Sequence, residues 1–578
     1  MKITVGLLSF AIASIPMLAQ FQPKFAPDLD PSQDAAEVIV QYRPGTQSAA
    51  HRMSRQNHIR EHGGRVGESL ELINADHFTN VPAADVQALA DDPDVLYVTP
   101  NRAVHPSLDI TAGVTNAATA WNLTLKGTGV AVAVIDSGVS QHDDLKGRIL
   151  DNKDFTGQNV TTDQFGHGTA VAGILAGDAI DSTGSMYTRM FKGVAPAASI
   201  VNLRVLDSNG TGSDAAVILA INYAVANAGK YNPKIRVINL SLGRGVFESY
   251  TLDPLCQAVE KAWKAGIVVV VAAGNLGRTE SYGINGYGTI NAPGNDPYVI
   301  TVGAMKALGS TNRANSQMAT YSSKGPTLID HIVKPDLVAP GSDIVTLRSP
   351  DETGTSLWNE DSVLQVPCTY YFPQNGTAPS SKYFQISGTS MATPVVAGAA
   401  ALLLQQNGAM TPDQVKARLM KTATKNFAAS TVYTDTTVKP AVTYTTYYDP
   451  FTVGAGYLDI GGAVDSTWNI AAKADAKSPT AVYNGSTNSG TFLFTTSSGL
   501  SFPAGSGAAA ASVIWGTNVT PSSVTWGTSV TWGTSVIWGA STDGIAPFSV
   551  IWGTSAISGS SVIWGASVTY GSSTHGSF

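Results

Sequence analysis

Charge is scarce in this 578-residue sequence. Lys, Arg, Asp and Glu together make up 13% of it, about half the usual share of a globular domain. The net charge of −7 gives no sign of the basic patch or stripe that marks nucleic-acid binders, so no nucleic-acid partner is expected. Cysteine is scarcer still, with only Cys256 and Cys368. Two thiols allow at most one disulfide and do not make a metal site. Whether they pair depends on a distance that a sequence does not contain. Long apolar runs are missing too. The stretch 3–15 falls short of the about 20 residues a spanning helix needs, and Pro16 ends it. With Lys2 before it and Ala19 after it, it reads as a secretory signal peptide over residues 1–19. A secreted chain is therefore expected, with association to the cell surface left open. The apolar run 394–404 suits a buried helix instead.

What is present is a hydrophobic share of 43%, enough for a sizeable core, on a chain too long for one compact domain. Residues 20–108 carry two strand patterns, 38–42 and 95–98, a polar stretch rich in His and Arg, and a helical stretch 83–89. They read as a small α+β unit. Residues 109–468 alternate apolar runs (130–135, 200–206, 236–242, 267–273 and 298–302) with helical stretches that include 214–227 and 254–264. The runs are continuously apolar rather than alternating. That pattern suits strands covered on both faces, and so predicts an α/β domain with a parallel sheet sandwiched between helices. Residues 469–578 are dominated by Gly, Ser, Thr and Ala, with Asp543 the only charged residue beyond Lys477. A Val-x-Trp-Gly unit recurs there and holds six of the ten tryptophans, with central copies six residues apart. Six is even, so Val and Trp of each copy fall on one face of an extended chain. Two readings stay open: stacking into a β solenoid, or a sticky tail removed in maturation.

Four local patterns carry chemistry. Asp136 ends the strand run 130–135 and is followed by Ser137-Gly138; sites in open α/β sheets form beyond the carboxyl ends of strands. His167 lies between Gly166 and Gly168, ahead of a run of small and apolar residues. Among the nine histidines only this one has such a setting. Ser390 stands in Gly388-Thr389-Ser390-Met391-Ala392-Thr393-Pro394, ahead of an all-apolar helix. Pro394 reads as part of that helix's first turn. A serine at a buried helix N-terminus has unpaired backbone N–H groups and a favourable dipole beside it. Asn275 closes the strand run 267–273, after Gly274. Its amide can donate to an oxyanion. Taken singly, each has an ordinary structural explanation in turn formation or helix capping.

Taken together, in the order Asp, His, Asn, Ser, these contexts resemble the subtilase family of serine peptidases. Gly388–Pro394 and Asp136-Ser137-Gly138 match its serine and aspartate motifs. The histidine motif is similar, with Ala170 where many members carry a second His. Further similar blocks are 238–243, 334–341 and 454–464. The resemblance implies a serine endopeptidase with broad protein substrates and the catalytic triad Asp136, His167 and Ser390. It implies an oxyanion hole from Asn275 and Ser390. Substrate would bind along Ser241, Leu242 and Gly243, with Ala273 and Gly274 beside it. Residues 20–108 would be an inhibitory propeptide, cut off near residues 105–111, and a monomer is expected. No cofactor is needed for the chemistry. The loop 177–192 does not show the family's calcium-binding loop, but a structural calcium with Asp144 as one ligand stays open. The stretch 343–384 is longer than in compact members and could border the cleft; 277–291, with Arg278 and Glu280, is expected to shape the specificity pocket. The rival expectation is an inactive adhesive protein on the same scaffold, with the Trp repeats making surface or carbohydrate contacts.

Overall fold

The structure is a computed structural model. It describes residues 24–25, 29, 35–43, 45, 49–70, 74–100, 107–279, 286–353, 356–357, 364–373, 378–428, 430–435, 440–484, 489–495 and 501–503. The expected signal peptide, Glu280 and all the Trp repeats lie outside the described residues. The chain falls into two compact units, Met1–Val104 and His105–Phe578.

The N-terminal unit runs β1 (Ala35–Tyr42), α1 (Ala49–Glu61), β2 (Arg65–Leu70), β3 (Ala75–Val81), α2 (Ala83–Asp91) and β4 (Val95–Pro100). Its sheet, in the order β2-β3-β1-β4, is antiparallel throughout. Val38, Val40, Phe78, Val86 and Val98 form a core of its own. The polar His and Arg stretch is a helix, α1, which the sequence pattern does not reveal. Along 51–61 only Ile59 is buried, so this stretch lacks the apolar stripe that marks an amphipathic helix.

The larger unit opens with two short helices, α3 (Ser107–Val114) and α4 (Ala117–Asn122). Then come β5 (Ala131–Asp136), β6 (Ile149–Asp154), α5 (His167–Ala176), β7 (Ser199–Arg204), α6 (Asp214–Asn227), β8 (Ile235–Leu240), α7 (Pro254–Lys264) and β9 (Val268–Ala272). They are followed by β10 (Ile300–Lys306), β11 (Gln317–Met318), β12 (Leu337–Pro340), β13 (Ile344–Leu347), β14 (Gln365–Pro367) and β15 (Pro379–Ile386). Last are α8 (Thr389–Gln406), α9 (Pro412–Thr422), β16 (Ser430–Asp435), β17 (Val442–Tyr447), α10 (Ile460–Asp465), β18 (Thr480–Asn484), β19 (Ser489–Thr495) and β20 (Ser501–Pro503).

The central sheet has eight strands in the order β11-β10-β9-β8-β5-β7-β6, with β12 beside β10. Every pairing is parallel except β10 with the two-residue β11. β5 and β9 are buried along their whole length, the covered-on-both-faces condition that continuous apolar runs imply. α8 packs against β8, β9 and β10 and also against α5; Met391 to Leu404 are all buried. Parallel strands put all their carboxyl ends on one edge, and Asp136, Ser241 and Ala273 stand there together.

The block 334–341 has a structural role. Asp336, fully buried, pairs with Lys334 at 2.7 Å and Lys416 at 3.1 Å. Ser478 donates to the same carboxylate, so this cluster binds the segment after α10 to the sheet. Past it, β18, β19 and β20 make a small antiparallel sheet.

Candidate active site

β5 and β8 are adjacent, with Ile135 level with Leu240. Asp136 and Ser241, each one residue further on, therefore stand about 4.8 Å apart on neighbouring strand ends. One carries the histidine and the other carries the serine.

Asp136 is fully buried. Its Oδ1 accepts from Ser137 N–H at 2.7 Å and from His167 Nδ1 at 2.7 Å. An ionised carboxylate only accepts, so the His167 proton sits on Nδ1 and Nε2 keeps its lone pair. Asp136 Oδ2 is buried without a hydrogen-bond partner. Burial pulls the imidazole pKa down, but the charge of Asp136, its hydrogen bond and the charge of Asp163 outweigh that, and the net shift is upward.

The glycines around His167 have a steric reason. Gly166, the N-cap of α5, has φ +98°, a conformation that penalises any Cβ. A Cβ on Gly168 would stand 2.1 Å from Gly138 O and 3.1 Å from Asp136 Cβ. Only glycine lets the first turn of α5 come this close to the Asp136 turn.

Asp163 is a residue that sequence reasoning missed. It is fully buried and accepts from Ser137 Oγ, Gly166 N and Thr169 N, each at 2.8 Å. Ser137 Oγ in turn accepts from Gly168 N at 2.9 Å. One carboxylate thus ties the Asp136 turn to both sides of His167. Burial raises its pKa against the pull of these donors. Arg204 at the end of β7, itself fully buried, donates to Ser137 O at 3.2 Å. No local pattern marks Asp163; beside its near neighbours Gly166 and Thr169, its role depends on Ser137, 26 residues away in the chain.

α8 begins at Thr389, so Pro394 sits inside the helix and not in its first turn, which corrects the sequence reading. Its missing N–H frees the carbonyl four residues back, that of Ser390. Ser241 Oγ donates to this carbonyl at 2.7 Å, and Ser390 Oγ donates to Ser241 O at 2.9 Å. The proline that looks out of place lets Ser241 and Ser390 lock to each other. The Ser390 hydroxyl here points to Ser241 O rather than to His167.

Asn275 is exposed, just past β9. Its Oδ1 accepts from Thr389 N at 2.9 Å and Thr389 Oγ1 at 3.0 Å. With the oxygen held by two donors, the amide nitrogen is the end left to donate, and it makes no hydrogen bond among the described residues. The backbone groups of Leu242 and Gly243 make no hydrogen bond among the described residues, so an edge is free for an added strand. Ala273 and Gly274 differ. Ala273 N donates to Val302 O and Ala273 O accepts from Asn291 N. Gly274 N donates to Thr389 Oγ1 and Gly274 O accepts from Ser323 N. Both shape the wall but have no backbone group left for a substrate.

The long stretch 343–384 does reach this site. Ser349 Oγ donates to Asp163 O, Thr353 N to Gln164 O and Leu357 N to Phe165 O. Arg278 is committed internally, to Asp435 at 3.2 Å and under the rings of Tyr433 and Tyr444, so it offers no free charge to a substrate. Cys256 and Cys368 are both buried and unpaired.

His142, Asp144 and Asp181 converge where a structural calcium was left open, but the donor set does not fit one. Asp144 is fully buried, with Oδ1 accepting from Asp181 N and Oδ2 from Tyr383 O–H. Burial outweighs these donors and lifts its pKa to about 6. His142 Nδ1 accepts from Asp144 N, and the Lys382 ammonium lies 3.2 Å from Asp181. Calcium takes six to eight oxygens; here the oxygens of Asp144 are spent on protein donors and a lysine already supplies the positive charge.

Comparison with known proteins identifies the family. The model of the subtilase family matches residues 127–441. Serine protease AprX of Bacillus subtilis is 35% identical over 393 residues, covering 67% of this chain and 82% of AprX. Subtilisin E of the same bacterium is 33% identical over 427 residues, 73% of this chain and 94% of its own. Thermitase of Thermoactinomyces vulgaris is 35% identical over 308 residues, 53% of this chain and 85% of thermitase. The chain belongs to the subtilase family and is a subtilisin-like serine endopeptidase.

Proposed function

We propose that the chain is a secreted endopeptidase, made as a preproenzyme, that hydrolyses peptide bonds through Asp136, His167 and Ser390. The reading is carried by the 2.7 Å bond between buried Asp136 and His167 Nδ1, which leaves Nε2 as a base on the same sheet edge as Ser390. Ser390 Oγ exchanges its bond to Ser241 O for one to His167 Nε2 by rotating about χ1. It then attacks the peptide carbonyl as His167 takes its proton, and His167 returns that proton to the leaving amine. The Asn275 amide and the Ser390 backbone N–H hold the oxyanion. Leu242 and Gly243 pair with substrate backbone. That mode gives affinity with little sequence choice, in keeping with protein substrates of many kinds. All of this uses the chain's own groups and no cofactor.

Residues 20–108 are read as an inhibitory propeptide, supported by the separate core of the N-terminal unit. Residues 1–19 are read as a signal peptide and 469–578 as a β-prone extension whose tryptophans contact a surface or carbohydrate. Among the described residues no helix is long and apolar enough to cross a membrane. An inactive scaffold is not favoured, since it has no need for a pinned Asn275 beside Ser390.

The direct test is a fluorophosphonate probe on the secreted protein, with the label mapped by peptide mass. Labelling at Ser390, together with hydrolysis of unfolded protein, is expected; a folded, processed chain that takes no label removes the reading. Two variants probe the surroundings. Asn275→Leu is expected to lower kcat about 10²–10³-fold with KM little changed, the loss known for such a donor in subtilisin, a relative; a proportional rise in KM instead would assign Asn275 to ground-state binding. Asp163→Asn removes a negative charge that raises the His167 pKa. Activity needs neutral His167 and is lost as pH falls through that pKa, so the acid limb of kcat/KM is expected to move to lower pH. An unmoved limb with reduced activity would leave Asp163 a merely structural part.

A further inference from the structure

The His and Arg stretch of the N-terminal unit has no part in the chemistry above, yet it carries a built cluster. His58 lies in the last turn of α1 and His62 in the turn just past its end, where His62 N still donates to His58 O at 3.3 Å, so the two residues, four apart, lie on one side of the chain. Asp85, in the first turn of α2, stands against them. Its Oδ1 lies 2.7 Å from His62 Nδ1 and 3.3 Å from His58 Nε2. The rings meet edge to face with centroids 4.4 Å apart, and the three ligand-type atoms all fall within 4.8 Å of one another.

Asp85 is 1% exposed, and its Oδ2 is buried with no hydrogen-bond partner. Other acids of this unit are met by arginine: Asp92 and Asp94 by Arg55 at 2.6 Å, Asp76 by Arg52 at 3.0 Å. Among the described residues no lysine or arginine pairs with Asp85. A buried carboxylate answered only by imidazoles, with one oxygen unanswered, is costly unless a cation completes it.

We propose that His58, His62 and Asp85 bind a first-row divalent cation of the zinc type, with a water in the fourth position. Zinc takes tetrahedral nitrogen and oxygen ligands at about 2.0–2.2 Å, which sets neighbouring ligand atoms about 3.4 Å apart. The His58 separation already fits, and His62 has to withdraw by about 0.7 Å. Two imidazoles select zinc, cobalt or nickel over magnesium or calcium. Both histidine side chains are about half exposed, 49% and 50%, which leaves an entry path. The consequence is structural: along 51–61 of α1 only Ile59 is buried, and the cation ties the end of this helix to α2. Folding of this unit is then coupled to the metal.

The test uses the full chain with Ser390→Ala, which stays in one piece during titration. Co²⁺ is the probe and Zn²⁺ the competitor. The expected result is one equivalent of Co²⁺ with the visible absorption of a four-coordinate site, bleached by Zn²⁺. His58→Gln and His62→Gln are each expected to weaken binding at least about tenfold, since loss of an outer-shell group alone costs that much. Diethyl pyrocarbonate modification mapped by peptide mass needs no substitution: Zn²⁺ is expected to protect His58 and His62 together. Absence of Co²⁺ binding, binding indifferent to both histidine variants, or equal modification with and without Zn²⁺ would each overturn the site in favour of plain His–Asp hydrogen bonds.

Discussion

Ser390→Ala is expected to lower kcat about 10⁶-fold with KM within a few-fold of the parent, the loss found when the nucleophile of subtilisin, a relative, is removed. That is about 8 kcal/mol of transition-state stabilisation. The fold should survive the change. What anchors the start of α8 is backbone and neighbouring side chains: Thr389 N and Oγ1 on Asn275 Oδ1, and Ser241 Oγ on the Ser390 carbonyl freed by Pro394. Only the bond from Ser390 Oγ to Ser241 O is lost. On the reading proposed above, Leu242, Gly243 and the Asn275 amide still meet the substrate, so binding is expected to persist while the bond-forming atom is gone. Steady-state kinetics on a processed variant, supplied with its N-terminal unit in trans if it does not self-cleave, provide the check. Activity within a hundredfold of the parent would move the nucleophile elsewhere.

Asp136→Asn is expected to cost on the order of 10⁴ in kcat, and the structure says why the loss includes one of charge. Both bonds to Asp136 fall on Oδ1, from Ser137 N–H and from His167 Nδ1–H, and Oδ2 has no hydrogen-bond partner. An asparagine keeps its amide oxygen at that acceptor position, so the histidine tautomer survives. What disappears is the buried negative charge that stabilises the imidazolium during proton transfer. Asp136 is the larger of the two charges that raise the His167 pKa. Its removal lowers that pKa, and the acid limb of the pH profile should move to lower pH as kcat falls. An unmoved acid limb, or a loss under tenfold, would contradict this account.

Much of the architecture is legible in the sequence because it is locally encoded. Strands β5 and β9 are covered on both faces, so their burial is written as unbroken apolar runs. The helical stretches 214–227 and 254–264 coincide with α6 and α7. They open on a serine and an aspartate that cap the first turn. The expected helix at 83–89 is α2, two residues longer. The polar helix α1 is not legible, because along 51–61 Ile59 is the one buried residue, which leaves no periodic stripe.

The sequence by itself determined the sheet, its helical cover and the order of Asp136, His167, Asn275 and Ser390, since each of these depends on residues adjacent in the chain. Tertiary structure decided the rest. Asp163 earns its place through Ser137, Gly166 and Thr169; Asp144 is closed to calcium by Tyr383, 239 residues away; Asp85 meets His62, 23 residues before it; and the two cysteines stay unpaired. A hydrogen bond or ion pair is set by which atoms come within about 3 Å in space, and no spacing along the chain records that distance.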